Sequence, residues 1–368
     1  MIARGLNLSQ IYITAIVFSM VAILSEVPSS YLADKWSRKG LITVSIALGA
    51  FFWFASIFAY GFVAFMFAVG IFSISYSLMS GTDEALIYDT SRELGEENKS
   101  IKMLGRFYAA PRLFKMFGPL IAVLIARNLS NNQFVLLLSI DVIANLIALY
   151  LSDYLIEPKH TQSNEKIQKG VLLDTIDLFK NSPNLINITI NRTLLFLASF
   201  AIWRISSEYL TSRGATLLLL GLGITSFQAI LFWANMRSHS WFKKWNSYEM
   251  ISRLNVVCTV VLFLFWINEI FGSNWVVAIV LLDLIFIIEG IRGPYFSELI
   301  NREAHSYNRA TTISGSNLLT EIIKLPLLAV FSVIIAFGYS YLFGSALILG
   351  ILSISVFRLT KKTELLVK

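Results

Sequence analysis

The sequence contains little charge, one cysteine and few histidines for a chain of 368 residues. Charged residues make up 14% of the chain and hydrophobic residues 56%, whereas soluble domains carry roughly 25% charged residues. A soluble protein of this length has no core large enough to bury so many apolar side chains. The composition therefore excludes a soluble globular protein and predicts an all-α integral membrane protein.

The scarcity of cysteine and histidine limits the chemistry that the chain can perform. Cys258 is the only cysteine and lies in an apolar run, so we expect neither a disulfide framework nor a cysteine metal cluster. His160, His239 and His305 fall between apolar runs, so none is placed at membrane depth for proton relay or metal binding. A glycine-rich phosphate loop is also lacking. We therefore expect no metal and no cofactor.

Apolar runs long enough to cross a bilayer fill most of the chain. A spanning helix needs roughly 20 apolar residues, and the sequence contains eleven such runs: Ser9–Ala33, Leu41–Tyr60, Val63–Tyr88, Gly105–Arg127, Gln133–Asp153, Ile186–Tyr209, Ala215–Met236, Glu249–Ile267, Asn274–Ser297, Thr311–Ala336 and Tyr339–Phe357. The polar stretch 155–185 predicts a linker between an N-terminal half, 1–154, and a C-terminal half, 186–368.

Lysine and arginine are concentrated in alternate loops. The opposite set of loops holds only Arg4, Arg127 and Arg213. The positive-inside rule therefore predicts a multi-pass plasma-membrane protein whose linker and C-terminus lie in the cytoplasm. Because these loops explain the net charge of +7, no nucleic-acid partner is expected. We expect a monomer whose partners are the lipid bilayer, protons and a small-molecule substrate.

The stretch "YLADKWSRKG", residues 31–40, resembles a motif of major facilitator superfamily (MFS) transporters. That motif, G-x-x-x-D-R/K-x-G-R-R/K, follows the family's second helix. Asp34, Lys35, Arg38 and Lys39 match its charges, while serines stand at both glycine positions. The resemblance implies a bundle of two helical halves. It also implies that the first span here corresponds to the family's second, so that the family's first helix is absent.

The resemblance further implies a cytoplasmic gate. In such a latch Arg38 pairs with Asp89 at the end of the third span, and the contact holds the outward-open state. Asp34 accepts hydrogen bonds from the start of the tenth span, near Thr311 and Thr312. The alternative is that these charges only set the topology.

Five charged side chains of the first half are expected at membrane depth: Glu26, Asp83, Glu84, Arg112 and Lys115. Each costs about 2.5–3.5 kcal/mol near a helix centre, so they must face one another or a water-filled cavity. Counting about 1.5 Å per residue pairs Glu26 with Lys115 and Asp83 with Arg112. We predict that Glu26 and Asp83 each bind and release protons during transport. Glu84 is turned about 100° away, and purely structural ion pairing remains the alternative.

The second half supplies candidates for the lining of a substrate cavity: Arg192, Arg204, Asp283, Glu289, Arg292, Glu321 and Lys324. Three pairs share one face of a helix by their spacing, namely Arg204 with Glu208, Glu289 with Arg292, and Glu321 with Lys324. Local neutralisation is the alternative to a transport role. A cavity that carries both signs of charge favours a zwitterionic or amphiphilic substrate.

The combined interpretation is a secondary transporter of the MFS type and not an enzyme. We expect proton-coupled export of a small amphiphilic or drug-like molecule by alternating access. Export is favoured because Gly105, Gly118 and Pro119 partly match the family's antiporter motif. The alternatives are an uptake transporter of the same fold and a non-transporting immunity or scaffold protein.

Overall fold

The structure is a computed structural model that describes residues 2–35, 37–80, 82–95, 100–125, 130–157, 182–241, 246–303 and 309–359. Within these ranges the chain forms α-helices and two short 3-10 helices, Ile2–Arg4 and Ile335–Phe337. The α-helices are α1 Leu8–Lys35, α2 Arg38–Phe58, α3 Gly61–Met79, α4 Thr82–Glu93, α5 Ser100–Ile125, α6 Asn131–Ser152, α7 Pro183–Ser212, α8 Leu217–Trp241, α9 Ser247–Phe271, α10 Trp275–Glu303, α11 Arg309–Ile334 and α12 Tyr339–Ile354.

Eight stretches within the described residues are long and apolar enough to cross a membrane. They are Leu8–Ser25, Arg38–Phe58, Gly61–Met79, Asn131–Ser152, Pro183–Ser212, Leu217–Ala234, Ser247–Phe271 and Gly315–Phe337. Phe114–Ile125 and Tyr339–Ile354 are apolar but shorter. Helix α10 is long enough, but it carries several charged side chains. The structure thus supports an all-helical membrane protein, while the predicted count of eleven spans stays a prediction.

The third predicted span is not one continuous helix. Helix α3 ends at Met79, and at Ser80 the backbone turns to φ −55° and ψ 115°, outside the helical region. A new helix, α4, begins at Thr82, whose hydroxyl donates to Leu78 O at 2.9 Å. Asp83 therefore lies in the first turn of α4 and not within an unbroken helix, and a helix start favours a carboxylate through the aligned peptide dipoles.

The chain divides into two compact units. One contains Met1–Phe114 and Leu124–Gln168, and the other contains Lys115–Val123 and Lys169–Lys368. In the first unit α2 packs on α3 and α6, and α1 packs on α3. In the second unit α7 packs on α10, α11 and α12, and α9 packs on α10 and α12. Residues 158–181, most of the predicted linker, lie outside the described part of the chain, so the predicted domain boundaries stay predictions.

Helices α2 and α6 of the first unit run antiparallel in close contact. The hydroxyls of Thr43 and Ser152 lie 3.1 Å apart at one end, and Tyr60 donates to Asn131 Oδ1 at 3.0 Å at the other. Between these ends, a Cβ added to Gly49 would lie 3.1 Å from the Asn145 side chain. Small residues and polar contacts of this kind are the usual means of joining helices in a membrane.

Arg4 caps the end of α2 that faces the N-terminal segment. Its side chain is only 8% exposed, and its guanidinium donates to the carbonyls of Ser56, Ile57 and Ala59. The guanidinium also lies 4.9 Å from the centre of the Tyr60 ring. The last carbonyls of a helix lack partners within the helix and carry partial negative charge. Arg4 donates hydrogen bonds to them. The charge pattern predicted only that Arg4 lies in a loop, and it did not predict this contact.

A buried asparagine connects four helices in the second unit. Asn191 of α7 donates to the Ser353 carbonyl at 2.8 Å and to the Phe357 carbonyl at 2.7 Å, at the end of α12. It accepts a hydrogen bond from Asn255 of α9 at 2.9 Å. Arg292 of α10 reaches the Asn191 carbonyl at 3.5 Å. We call these five residues the Asn191 network.

Helix α7 also makes polar contacts with α11. The hydroxyls of Thr189 and Ser316 lie 3.1 Å apart, and one turn further along, those of Thr193 and Thr320 also lie 3.1 Å apart. Helices α7 and α11 therefore run parallel here, joined by two steps of a hydroxyl ladder. Together with the Asn191 network, this ladder makes α7 the central helix of its unit.

Candidate functional site

Two basic residues of the motif, Arg38 and Lys39, lie in the first turn of α2. The helix starts at Arg38 and not at Leu41, so Arg38 and Lys39 occupy a helix start, where positive charge is unfavourable. Glu157 compensates for this charge. Its carboxylate accepts from the backbone N–H of Arg38 at 3.0 Å, from that of Lys39 at 2.7 Å, and from the Ser37 hydroxyl at 2.7 Å.

The Gly40 N–H and the Lys39 ammonium group at this helix start also have hydrogen-bond partners. The Gly40 N–H donates to Ser37 Oγ at 2.9 Å, so all three N–H groups of the first turn are satisfied. Lys39 Nζ donates to the Asp153 carbonyl at 2.6 Å, beyond the end of α6. Glu157 and Lys39 thus clamp the start of α2 to the end of α6. We call this contact the Glu157 clamp.

Glu157 was not predicted from the sequence. It lies 118 residues from Lys39 along the chain and inside the predicted linker, so nothing in the local sequence connects it with the motif. Only the antiparallel packing of α2 on α6 brings the two together.

The other predicted gate residues have backbone positions in helices, but their side chains lie outside the described part of the structure. This holds for Asp34 and Lys35 in α1, Asp89 in α4, and Thr311 and Thr312 in α11. The predicted latch therefore stays a prediction.

The same limit applies to most of the predicted proton-coupling residues. The side chains of Glu26, Glu84 and Arg112 lie outside the described part. Asp83 is partly buried in the first turn of α4, and Lys115 is exposed on α5. The predicted pairing of Glu26 with Lys115 and of Asp83 with Arg112 stays a prediction.

Two of the pairs expected from spacing in the second unit are in contact. The guanidinium of Arg292, which is fully buried, pairs with Glu289 and lies 5.0 Å from the centre of the Phe296 ring. Lys324 Nζ donates to Glu321 Oε1 at 2.8 Å. In both pairs the cation is more buried than the carboxylate, whose side chain is 22% or 23% exposed. The carboxylates therefore lower the cost of burying the cations.

The remaining cations of the cavity candidates lie near these pairs. Arg192 is partly buried within electrostatic reach of the first pair. Arg204 lies 5.7 Å from the centre of the Phe200 ring, and Lys324 lies 5.8 Å from the same centre. One aromatic ring thus contacts two cations from different helices, an arrangement stabilised by the negative potential of the ring faces.

Asp283 lies in different surroundings, at a cleft between α7, α8 and α10. The cleft holds about 350 Å³ of empty space, counted with its open mouth. Its walls are formed by Trp203, Ser206, Ser207, Leu210, Leu220, Gly223, Ile224, Phe227, Ile279, Leu282, Asp283 and Phe286. We call it the aromatic cleft.

Three rings of the aromatic cleft pack against one another, two of the pairs at nearly right angles. The rings of Trp203 and Phe286 are 5.0 Å apart and inclined at 89°, and those of Trp203 and Phe227 are 6.2 Å apart at 87°. Phe227 and Phe286 are 5.5 Å apart. These rings were not predicted as a group from the sequence, because each comes from a different helix.

The Asp283 carboxylate has one weak partner among the described residues. The Ser226 hydroxyl lies 3.3 Å from its Oδ2 but also donates to the Gly223 carbonyl at 2.8 Å. A Cβ added to Gly223 would lie 3.6 Å from both carboxylate oxygens. An unpaired carboxylate at membrane depth costs about 2.5–3.5 kcal/mol, so Asp283 departs from the pairing seen at Glu289 and Glu321.

The helical fold and the apolar spans define an integral membrane protein. The model of the Major Facilitator Superfamily matches residues 1–323. The chain therefore belongs to this superfamily of transporters, as its motif predicted, and is not an enzyme.

Solved transporter structures share the fold. Nucleoside transporter NupG is 16% identical, with a TM-score of 0.73 over 99% of this chain and 91% of that one. A D-xylose-proton symporter is 13% identical, with a TM-score of 0.73 over 98% and 91%. A mutant of peptide transporter POT in complex with alafosfalin is 12% identical, with a TM-score of 0.69 over 97% and 88%. Comparison with curated proteins gives no match.

The Glu157 clamp predicts a loss of stability on substitution. Glu157→Gln keeps the side chain's shape but removes the charge that opposes the two basic residues and the helix dipole. We expect the free energy of unfolding in detergent to fall by about 1–2 kcal/mol, since hydrogen bonds to a charged group contribute about 1.5–3 kcal/mol. Chemical unfolding of the purified protein measures this change.

Asp153→Asn is the matched control, because the Asp153 side chain is exposed beside the clamp and only its backbone carbonyl contacts Lys39. We expect this variant to change the unfolding free energy by less than about 0.5 kcal/mol. Equal effects of the two substitutions would contradict the clamp.

Proposed function

We propose that the protein is a secondary active transporter that moves a small molecule across the membrane by alternating access. The observation that carries this proposal is Asp283, a carboxylate without a cationic partner in the described residues, placed at a ring-lined cleft of the second unit. Intramembrane carboxylates are costly and usually serve a substrate or ion pathway. Membership of the superfamily supports the same function.

Proton coupling is the second part of the proposal. We propose that Glu26 and Asp83 bind and release protons as their basic partners move away and return. A solved neighbour named as a D-xylose-proton symporter supports this mode of coupling. The position of Asp83 directly after the break between α3 and α4 supports it too, because a helix break is a place where backbone angles can change during a conformational transition.

The proposed direction is export of an amphiphilic or drug-like molecule, with uptake as the alternative. A non-transporting protein of the same fold is the second alternative. A transport measurement on purified protein in liposomes separates a transporter from a non-transporting protein of the same fold. Counterflow with labelled choline, ethidium, uridine, xylose and a dipeptide covers the cationic, nucleoside, sugar and peptide classes.

The coupling residues predict a specific defect. Glu26→Gln and Asp83→Asn should still exchange a transported compound across the liposome membrane, because exchange needs no net proton movement. They should lose accumulation driven by an imposed pH gradient, since the variants cannot carry the proton. Uptake of the labelled compound with and without the gradient measures both quantities.

Asp153→Asn serves as the matched control, because Asp153 is an exposed carboxylate of the first unit just beyond the end of α6 and should keep its gradient response. Variants of Glu26 and Asp83 that still concentrate the compound under the gradient would contradict proton coupling. Folded wild-type protein that exchanges none of the compounds would contradict the transport proposal.

We also propose that the linker and the C-terminus lie in the cytoplasm of a plasma-membrane protein. The excess of lysine and arginine in alternate loops supports this orientation. In a background in which Cys258 is replaced by serine, Lys368→Cys should react with a membrane-impermeant maleimide only after the cells are opened, whereas Gly5→Cys should react in intact cells. The reverse pattern would contradict the orientation.

A further inference from the structure

The aromatic cleft combines one carboxylate with three aromatic rings in a mostly apolar lining. Its only charged lining residue is Asp283, and aromatic ring faces carry negative potential. Trp203, Phe227 and Phe286 supply three such rings, with Trp203 42% exposed and so accessible to a ligand. A positive charge is therefore the ligand feature that this lining stabilises.

The cleft's dimensions restrict the size of the group that enters it. The cleft holds about 350 Å³ of empty space, and this volume includes its open mouth. The cleft therefore admits a small head group, with the rest of the ligand in the open mouth.

The polar groups of the lining argue against a sugar or an anion. A sugar is bound by several directed hydrogen bonds, but Ser206 already donates to the Trp203 carbonyl at 2.9 Å, and only Asp283, Ser207 and the indole N–H of Trp203 remain as further polar groups among the lining residues. An anion would lie against a carboxylate. An alkylated ammonium needs no directed donor and is attracted by both the rings and the carboxylate.

We propose that the aromatic cleft binds the ammonium head of a small organic cation, with Asp283 as its counter-ion and the rings of Trp203, Phe227 and Phe286 as its walls. This inference deepens the proposed function, on which it rests for the use of the site, because it names an organic cation as the substrate class. The binding event itself can be measured without transport.

The test is equilibrium binding of labelled choline to the purified full chain in detergent. Tetramethylammonium should displace choline. The uncharged isostere 3,3-dimethylbutan-1-ol has the same shape, so it should compete at least about tenfold more weakly, because a cation–π contact and a counter-ion are lost together. Asp283→Asn and Trp203→Leu should each weaken choline binding by about tenfold or more.

Two matched variants separate the cleft from general effects. Asp141→Asn removes another partly buried carboxylate, and Trp233→Leu removes another exposed tryptophan, from α8. Both should bind choline as the wild type does. Size-exclusion profiles and unfolding temperatures confirm that each variant is folded, and Asp283→Glu, which keeps the charge, should retain more binding than Asp283→Asn.

Three results would overturn the inference: no binding of choline or tetramethylammonium at millimolar concentration by folded wild type, equal competition by the neutral isostere, or unchanged binding in Asp283→Asn. A transport measurement tests the proposed function separately from the binding measurement. Choline binding without counterflow would leave the inference standing and contradict the transport proposal, whereas counterflow of uridine, xylose or a dipeptide without cation binding would do the reverse.

Discussion

Hydrocarbon offers no hydrogen-bond partner, so every polar side chain on a spanning helix must find one inside the protein. In the second unit the Asn191 network meets most of this constraint, although Asn255 Oδ1 and Arg292 Nε have no hydrogen-bond partner among the described residues. Asn191 and Asn255 are 0% and 2% exposed, and exposing either amide to lipid would cost several kcal/mol, about as much as an amide loses on transfer to a non-polar medium. The contacts of α7 with α9, α10 and α12 are therefore fixed in register by a few polar atoms, and apolar side chains fill the space between them.

The same constraint accounts for the contacts at both ends of α2, and Asp283 departs from it. Arg4 satisfies the carbonyls at one end of the helix and Glu157 the N–H groups at the other, so the helix termini need no water. Glu289 and Glu321 are paired with cations of their own helices. Asp283 has only the Ser226 hydroxyl, which also donates to the Gly223 carbonyl. A group that breaks the rule obeyed by its neighbours is the natural place to expect a ligand.

Hydropathy and spacing predicted the parts of this structure that depend on local sequence. The apolar runs predicted helices, and the i,i+3 spacing predicted the contact of Glu289 with Arg292. The break at Ser80 was missed, although the serine and glycine before Thr82 are a recognised turn signal. Glu157 and the three rings of the aromatic cleft could not be found from sequence, because their contacts join helices far apart in the chain and depend on helix rotations that periodicity leaves undetermined.

The most direct test of the satisfied-polar-group account is a double-mutant cycle on Asn191 and Asn255. Leucine has a similar volume to asparagine but cannot hydrogen bond, so Asn191→Leu should destabilise the protein and leave the Asn255 amide without its acceptor. The account predicts that the double variant loses less unfolding free energy than the two single variants together, by about 1 kcal/mol. Strictly additive losses, measured by unfolding in mixed detergent, would contradict it.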